Sequence, residues 1–294
     1  MKQDILNPAA PVLDRREFLV TSIFAAGAFG VAAQANLAQA TTIKTDSKGL
    51  VAGEVKIPVN DGQVPAYRAM PDRKGKRFPV VLVVHEIFGV NEWVQDVCRR
   101  FAKQGFMAIA PALYARQGEI KDLSDPREIL RTVYGKIPDV QSVSDLDACV
   151  AWATNNSGDA KKLSITGFCW GGRIVWLYSA HNPRVKAGAA WYGQLVNAPG
   201  AQINPLQPTK AFDHVNELKV PVIGFYGGLD TGIPQEHVKQ MQEALNHGKT
   251  GSNIIVYPKA QHGFFADYRT SYNKEAADDA WPKLLSWFKQ HGAF

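Results

Sequence analysis

Gly167-Phe168-Cys169-Trp170-Gly171-Gly172 leaves the chain few ways to fold around it. The strand-forming run Leu163-Ser164-Ile165-Thr166 precedes it, and the apolar stretch Ile174-Val175-Trp176-Leu177-Tyr178 follows. That order predicts a strand, a sharp turn and a helix, with a thiol at the apex of the turn. Glycines on both sides suit a turn where strand and helix crowd together and the apex residue is strained. The sulfur then stands clear of the sheet, beside the positive end of the helix, where thiolate is favoured.

The rest of the chain supplies matching parts. Residues 79–84 are continuously apolar, the mark of a strand covered on both faces of a mainly parallel sheet. Residues 50–58 and 64–69 read as two earlier strands, joined by turn chemistry at Asn60-Asp61-Gly62. After the third strand come a helix over about 91–104, a strand over 106–110 and an irregular, charged excursion over 111–138. A helix near 143–155, a strand over 163–166, a helix over 172–181 and a strand over 186–191 follow. A second excursion, 193–218, carries Pro199, Pro205 and Pro208 and leads into a strand over 220–226. The chain closes with a helix over 237–245, a strand over 253–257 and an amphipathic helix over 275–288. This alternation predicts an α/β fold: a doubly wound, mainly parallel sheet with antiparallel N-terminal strands. With 294 residues, 46% of them hydrophobic, one domain over 41–294 can bury a full core.

The first forty residues stand apart. Arg15-Arg16-Glu17-Phe18-Leu19 precedes an uncharged, alanine-rich segment over 18–33, and Ala38-Gln39-Ala40 offers small residues for cleavage. A charged start, an apolar middle and an A-x-A end describe a secretory signal. The paired arginines followed by x-Phe-Leu resemble twin-arginine signals, which export folded proteins. The mature chain is therefore expected to begin near Thr41, in the periplasm or beyond, with the twin-arginine export machinery as a partner. An uncleaved membrane anchor, or a helix of the domain, is the competing reading; the apolar stretch is short for a span.

Charge and cysteine usage narrow the function. The net charge of +6 arises after residue 40, because Lys2, Arg15 and Arg16 balance Asp4, Asp14 and Glu17. Basic residues are scattered without long runs, which argues against nucleic-acid binding and is compatible with an anionic small substrate. Cys98, Cys149 and Cys169 are too few and too far apart for a disulfide scaffold or a metal cluster. No histidines show metal-ligand spacing, so neither a metal nor another cofactor is expected. Cys98 falls in the helical pattern Trp93-Val94-Val97-Phe101 and Cys149 in Leu146-Val150-Trp152, both expected as buried fillers. Cys169 is left for chemistry.

A nucleophilic thiol needs a base, and the base needs a group that holds its tautomer. Gly227-Gly228-Leu229-Asp230 follows an apolar strand, which makes Asp230 the candidate orienting carboxylate. Lys259-Ala260-Gln261-His262-Gly263-Phe264 follows another, which makes His262 the candidate base. The competing readings are a turn-forming Asp230, an exposed loop His262 and a structural Cys169. His85-Glu86-Ile87-Phe88-Gly89 follows residues 79–84, and the amides of Ile87 and Trp170 are the expected donors to an oxyanion. Ligands in such sheets bind beyond the carboxyl ends of strands, so Glu86, Cys169, Asp230 and His262 are expected at one rim. Nucleophile, acid, histidine is the chain order of the α/β-hydrolase fold.

Together with Leu113-Tyr114-Ala115-Arg116, these motifs resemble the dienelactone hydrolase (carboxymethylenebutenolidase) family, from about residue 51 to the C-terminus. The resemblance implies a Cys169–His262–Asp230 triad that hydrolyses a small ester or lactone through an acyl-cysteine intermediate. It implies that Glu86 pairs with the resting thiol and helps convert it to thiolate when substrate arrives. It also implies that Arg116 binds a substrate carboxylate. A second family arginine lies soon after the histidine; here Arg269 comes later than that spacing, with Ala266 and Asp267 nearer to it. The expectation is a monomeric, cysteine-dependent ester or lactone hydrolase. Its rivals are a non-catalytic small-ligand-binding protein on the same scaffold, a thiol redox protein, and a peptidase or thioesterase. A redox protein would want a resolving cysteine near Cys169, and neither Cys98 nor Cys149 is close in sequence.

Overall fold

The apolar run after Arg77 becomes strand β3 (Phe78–Val84), in which Val80 to Val84 are wholly inaccessible. Burying one such side chain contributes about 1.5–3 kcal/mol, so a run of them must lie in the middle of a covered sheet. It does. In this computed structural model, which describes residues 42–120, 123, 125–198 and 200–294, eight strands form one sheet in the order β1-β2-β4-β3-β5-β6-β7-β8. The other strands are β1 (Leu50–Val59), β2 (Gly62–Pro71), β4 (Met107–Pro111), β5 (Gly158–Phe168), β6 (Val185–Trp191), β7 (Val222–Gly227) and β8 (Asn253–Tyr257). β1 and β2 form an antiparallel hairpin in which Val59 faces Gly62, and β2 pairs antiparallel with β4. All remaining pairs are parallel, so the expected doubly wound architecture with antiparallel N-terminal strands is present.

Helices α1 (Glu92–Lys103), α2 (Pro126–Thr132), α3 (Asp139–Asn155), α4 (Trp170–His181), α5 (Gln235–Asn246) and α6 (Lys274–Gln290) connect or flank the strands. α1 starts where the Asn91 side chain accepts the Val94 amide at 3.1 Å, and it buries Trp93, Val94, Val97, Cys98 and Phe101. Cys98 and Cys149 are both buried, and burial pushes both thiols well above their usual pKa. Among the described residues no helix is long and apolar enough to cross a membrane. The expected signal over 1–40 and its cleavage before Thr41 lie outside the described residues.

Three expectations need correcting. The 111–138 excursion is not irregular throughout: Asp125 caps α2 by accepting the Arg127 amide, Pro126 opens the helix, and a 3-10 turn follows at Tyr134–Lys136. Asp-Pro at a helix start is a legible signal, and the charged surroundings obscured it. α3 also begins at Asp139, four residues earlier than the apolar pattern suggested, and β5 at Gly158 rather than 163. Its polar start, Asp159 to Lys162, precedes the apolar half that pairs in register with β3 beyond the shift at Pro79.

The two excursions clasp each other above the sheet. Asn204 donates to the Gly135 carbonyl at 2.7 Å, and Gln207 donates to those of Tyr134 (2.6 Å) and Ile137 (2.9 Å). Arg173 of α4 fastens both from below. Its guanidinium grips the Asp139 carboxylate with two bonds, 2.7 and 2.6 Å, and its Nε donates to the Thr209 carbonyl at 3.0 Å.

Candidate active site

β5 ends at Phe168 and α4 begins at Trp170, so the turn between them is one residue, Cys169. Its φ of 54° and ψ of −115° are costly for a residue with a Cβ, and the surroundings hold it there. The Cys169 amide donates to the Trp191 carbonyl of β6 at 3.0 Å, and its carbonyl accepts the Gly172 amide at 2.9 Å. A Cβ on Gly171 would overlap the Val84 and His85 carbonyls, and one on Gly172 the Trp191 carbonyl. The glycines therefore let the first turn of α4 press against the tips of β3 and β6. The partly accessible sulfur is left at the positive end of a 12-residue helix.

Asp230 and His262, thirty-two residues apart, meet beyond the tips of β7 and β8. His262 Nδ1 donates to Asp230 Oδ2 at 2.8 Å, and the other carboxylate oxygen accepts the Gly232 (2.8 Å) and Ile233 (3.0 Å) amides. Those bonds fix the carboxylate, which fixes the ring. With Nδ1 committed, the opposite edge of the imidazole is left for the Cys169 sulfur. Burial works against charge on this ring, but Cys169 and Asp230 outweigh it through charge and hydrogen bonding and raise its pKa to about 10. A charged imidazolium beside a thiol is the counter-ion that a thiolate requires.

Glu86 is buried at this rim, two residues after the end of β3. Its Oε2 accepts the Tyr268 hydroxyl at 2.7 Å and pairs with Arg269 Nη2 at 3.0 Å. The Arg269 guanidinium lies over the Phe88 ring, 4.9 Å from its centre. Burial opposes its charge; Glu86, Tyr268 and Cys169 more than restore it and raise its pKa. Arg269 is thus engaged with Glu86 rather than lining the cavity beside Cys169.

His85 holds the loop that carries Ile87. Its Nδ1 donates to the Glu86 carbonyl at 2.8 Å, and its Nε2 accepts the Leu113 amide at 3.2 Å. An amide donor aimed at Nε2 demands a neutral ring, and burial lowers the pKa to about 4. The ring also stacks on Trp170, with centroids 5.7 Å apart. Among the described residues neither the Ile87 nor the Trp170 amide has a protein acceptor. Both residues line the cavity, as two donors to an incoming oxyanion should.

That cavity, about 110 Å³, is lined by Cys169, His262, Ile87, Trp170, Tyr192 and Ile233, and by the polar Arg173, Gln207 and Lys210. Arg116 is not part of it. Its guanidinium is taken up by Asp61 (3.0 Å) and Asp145. Sequence reasoning did not single out Tyr192, Tyr268, Arg173 or Lys210. Tyr192 directly follows β6, at the same rim as the other site residues, and has a φ of 37°. It was within reach of the strand-end rule. Tyr268 and Lys210 sit in loops where nothing local marks them. Among the described residues no group of three or more His, Cys, Asp or Glu could hold a metal ion.

The chain is similar to known proteins in sequence and in fold. The model of the dienelactone hydrolase family matches residues 64–292. A protein of Methylorubrum extorquens named "Putative carboxymethylenebutenolidase" is 52% identical over 97% of this chain and 95% of its own length. One of Escherichia coli strain K12 with the same name is 46% identical over 90% of this chain and 96% of its own. The crystal structure of a "Putative Dienelactone Hydrolase" from Klebsiella pneumoniae superimposes with a TM-score of 0.79 at 46% identity. It covers 82% of this chain and 99% of that one. Matched over most of its length in sequence and in structure, this chain belongs to the dienelactone hydrolase family.

Proposed function

We propose that the protein is a cysteine-dependent hydrolase of small esters or lactones, with Cys169 as nucleophile, His262 as acid and base, and Asp230 as its orienting group. The observation that carries this reading is the His262 ring. Asp230 holds it at Nδ1, and the Cys169 sulfur, together with Asp230, raises its pKa despite burial.

The Cys169 thiolate attacks the carbonyl carbon; an S–C bond forms as the C=O π electrons move onto oxygen. The amides of Ile87 and Trp170 receive that oxyanion, an interaction worth about 3–4 kcal/mol of barrier per donor in comparable sites. The intermediate collapses, the alkoxide leaves with the His262 proton, and an acyl-cysteine remains; from a lactone, the alcohol stays attached. Now neutral, His262 takes a proton from water, whose oxygen attacks the thioester carbonyl. Thiolate departs, and the acid is released. Glu86, expected to pair with the resting thiol, is held by Tyr268 and Arg269 at the same rim.

Intact-protein mass spectrometry with an activated aryl ester tests the scheme. The wild-type protein should gain one acyl group and turn over, and Cys169→Ala should do neither. Unchanged turnover in that variant would dismiss the mechanism. We also propose export through the twin-arginine route, on the strength of Arg15-Arg16 and Ala38-Gln39-Ala40. N-terminal sequencing of periplasmic material should start near Thr41; an intact Met1 there would reject cleavage.

A further inference from the structure

The cavity beside Cys169 adjoins a second, larger one of about 360 Å³, formed by the start of the 193–218 excursion and the segment after Asp230. The two share Gln194, Lys210, Gly232 and Ile233. Asp230 fixes the shared wall, because the Gly232 and Ile233 amides both donate to its Oδ1, at 2.8 and 3.0 Å. Small-molecule sites ordinarily enclose about 300–1,000 Å³. The compartment at Cys169, about 110 Å³, falls below that range, and the larger one falls within it. Leu195, Val196, Ile233 and Pro234 give the larger compartment its apolar lining. The carboxamides of Gln194, Asn197 and Gln202 give it a polar one, and among the described residues no protein group hydrogen-bonds them. No carboxylate and no strand lines it.

We propose that the larger compartment binds the alcohol half of the substrate, and that this half is an uncharged, polyhydroxylated group esterified to a small acyl group. The proposal rests on the hydrolase reading above and names its substrate class: short-chain acyl esters of sugars or sugar alcohols. Direction follows from the donors. The carbonyl oxygen faces the Ile87 and Trp170 amides, so the leaving oxygen lies toward His262, which protonates it. Asp230 holds His262, and the chain that continues from Asp230 forms the wall shared by the compartments. The leaving group therefore passes Gly232 and Ile233 into the larger compartment, and the acyl group stays in the smaller one. Chemistry follows from the lining. A carboxamide both donates and accepts, as a hydroxyl does, and three of them beside apolar side chains match the hydroxyls and C–H faces of a polyol. An extended peptide would want a strand edge to pair with, and none lines this compartment. A small lactone would leave it empty, because its alcohol stays tethered to its acyl half.

Matched acetates test this. Sorbitol monoacetate and hexyl acetate share the acyl group and the alcohol chain length and differ in hydroxyls. The ratio of kcat/KM, sorbitol over hexyl, should fall by about tenfold in the double variant Asn197→Leu/Gln202→Leu, as for two or more lost hydrogen bonds. Ala201→Trp, at an exposed position that lines only the larger compartment, should lower kcat/KM for both esters relative to ethyl acetate. Ratios within about twofold of wild type in both variants overturn the proposal. So does a loss in Ala201→Trp on 4-nitrophenyl hexanoate relative to the acetate, which would put the acyl half there. Acyl transfer gives an independent readout. With acetyl on Cys169, an added alcohol attacks the thioester carbonyl, His262 takes its proton, thiolate leaves and a new acetate ester forms. Mole for mole, sorbitol should outcompete ethanol as acceptor. Ethanol equal to sorbitol overturns the proposal, and N-acetylserinamide ahead of sorbitol overturns the named class in favour of a peptide. If wild type cleaves no ester, the hydrolase reading fails, and alkylation of Cys169 by iodoacetamide decides the compartment. Sorbitol should slow alkylation in wild type and not in Ala201→Trp; equal slowing overturns the proposal. If wild type cleaves esters and none of these differences appears, only the assignment of the larger compartment falls. Should a variant not fold, the acceptor competition in wild type decides.

Discussion

Two histidines at the rim, His85 fully buried and His262 largely so, end in opposite states. His85 follows β3 directly; His262 lies five residues beyond β8. A backbone carbonyl and a backbone amide hold His85, and the amide can donate only to a neutral ring. A carboxylate and a sulfur hold His262, and both favour the charged form. Burial opposes charge on both rings, yet the pKa is near 4 in one and about 10 in the other. The lesson is that burial alone does not set a charge state; the partner's capacity to donate or to accept a proton does.

Activity breaks this comparison most sharply. His262→Ala should lower kcat/KM on an activated ester by about 10⁴-fold or more, as when a triad histidine is lost. His85→Ala removes a positioning residue, not a reacting one. Its loss frees the Glu86–Ile87 loop and should cost at most about 10²-fold in rate. It should also cost about 2–4 kcal/mol of stability, because the Leu113 amide loses its acceptor inside the protein. Equal rate losses in the two variants would erase the distinction.

The pH dependence of stability is the smaller effect and sharpens the same contrast. His262 titrates higher in the folded protein than its ordinary 6.5, so its contribution is complete below pH 6.5 and is lost as pH rises through about 10. His85 titrates lower, so its contribution is complete above pH 6.5 and is lost as pH falls toward about 4. In urea titrations the stability gap between wild type and His262→Ala should therefore narrow from pH 6.5 to 10. The gap to His85→Ala should narrow from pH 6.5 to 4. Slopes of the opposite sign would contradict the assigned protonation states.

Much of this arrangement can be read from local pattern. Continuous apolar runs marked the covered strands, and the glycines around Cys169 marked a turn that admits no other residue at Gly171 or Gly172 without backbone overlap. Chain order alone put Glu86, Cys169, Asp230 and His262 at strand ends, hence at one rim. The charged loops were less legible. Arg116 looked available because Asp61 and Asp145, fifty-five and twenty-nine residues away, are invisible as partners in a linear pattern.

The sequence by itself determined the α/β alternation and the strand–thiol–helix turn, because both follow from periodicity and from glycine's missing side chain, which act over a few residues. Only the tertiary structure decided which charges neutralise one another, which imidazole carries its proton, and which cation faces the cavity. Coulomb interaction and desolvation depend on distance through space, and that distance exists only once the rim is assembled.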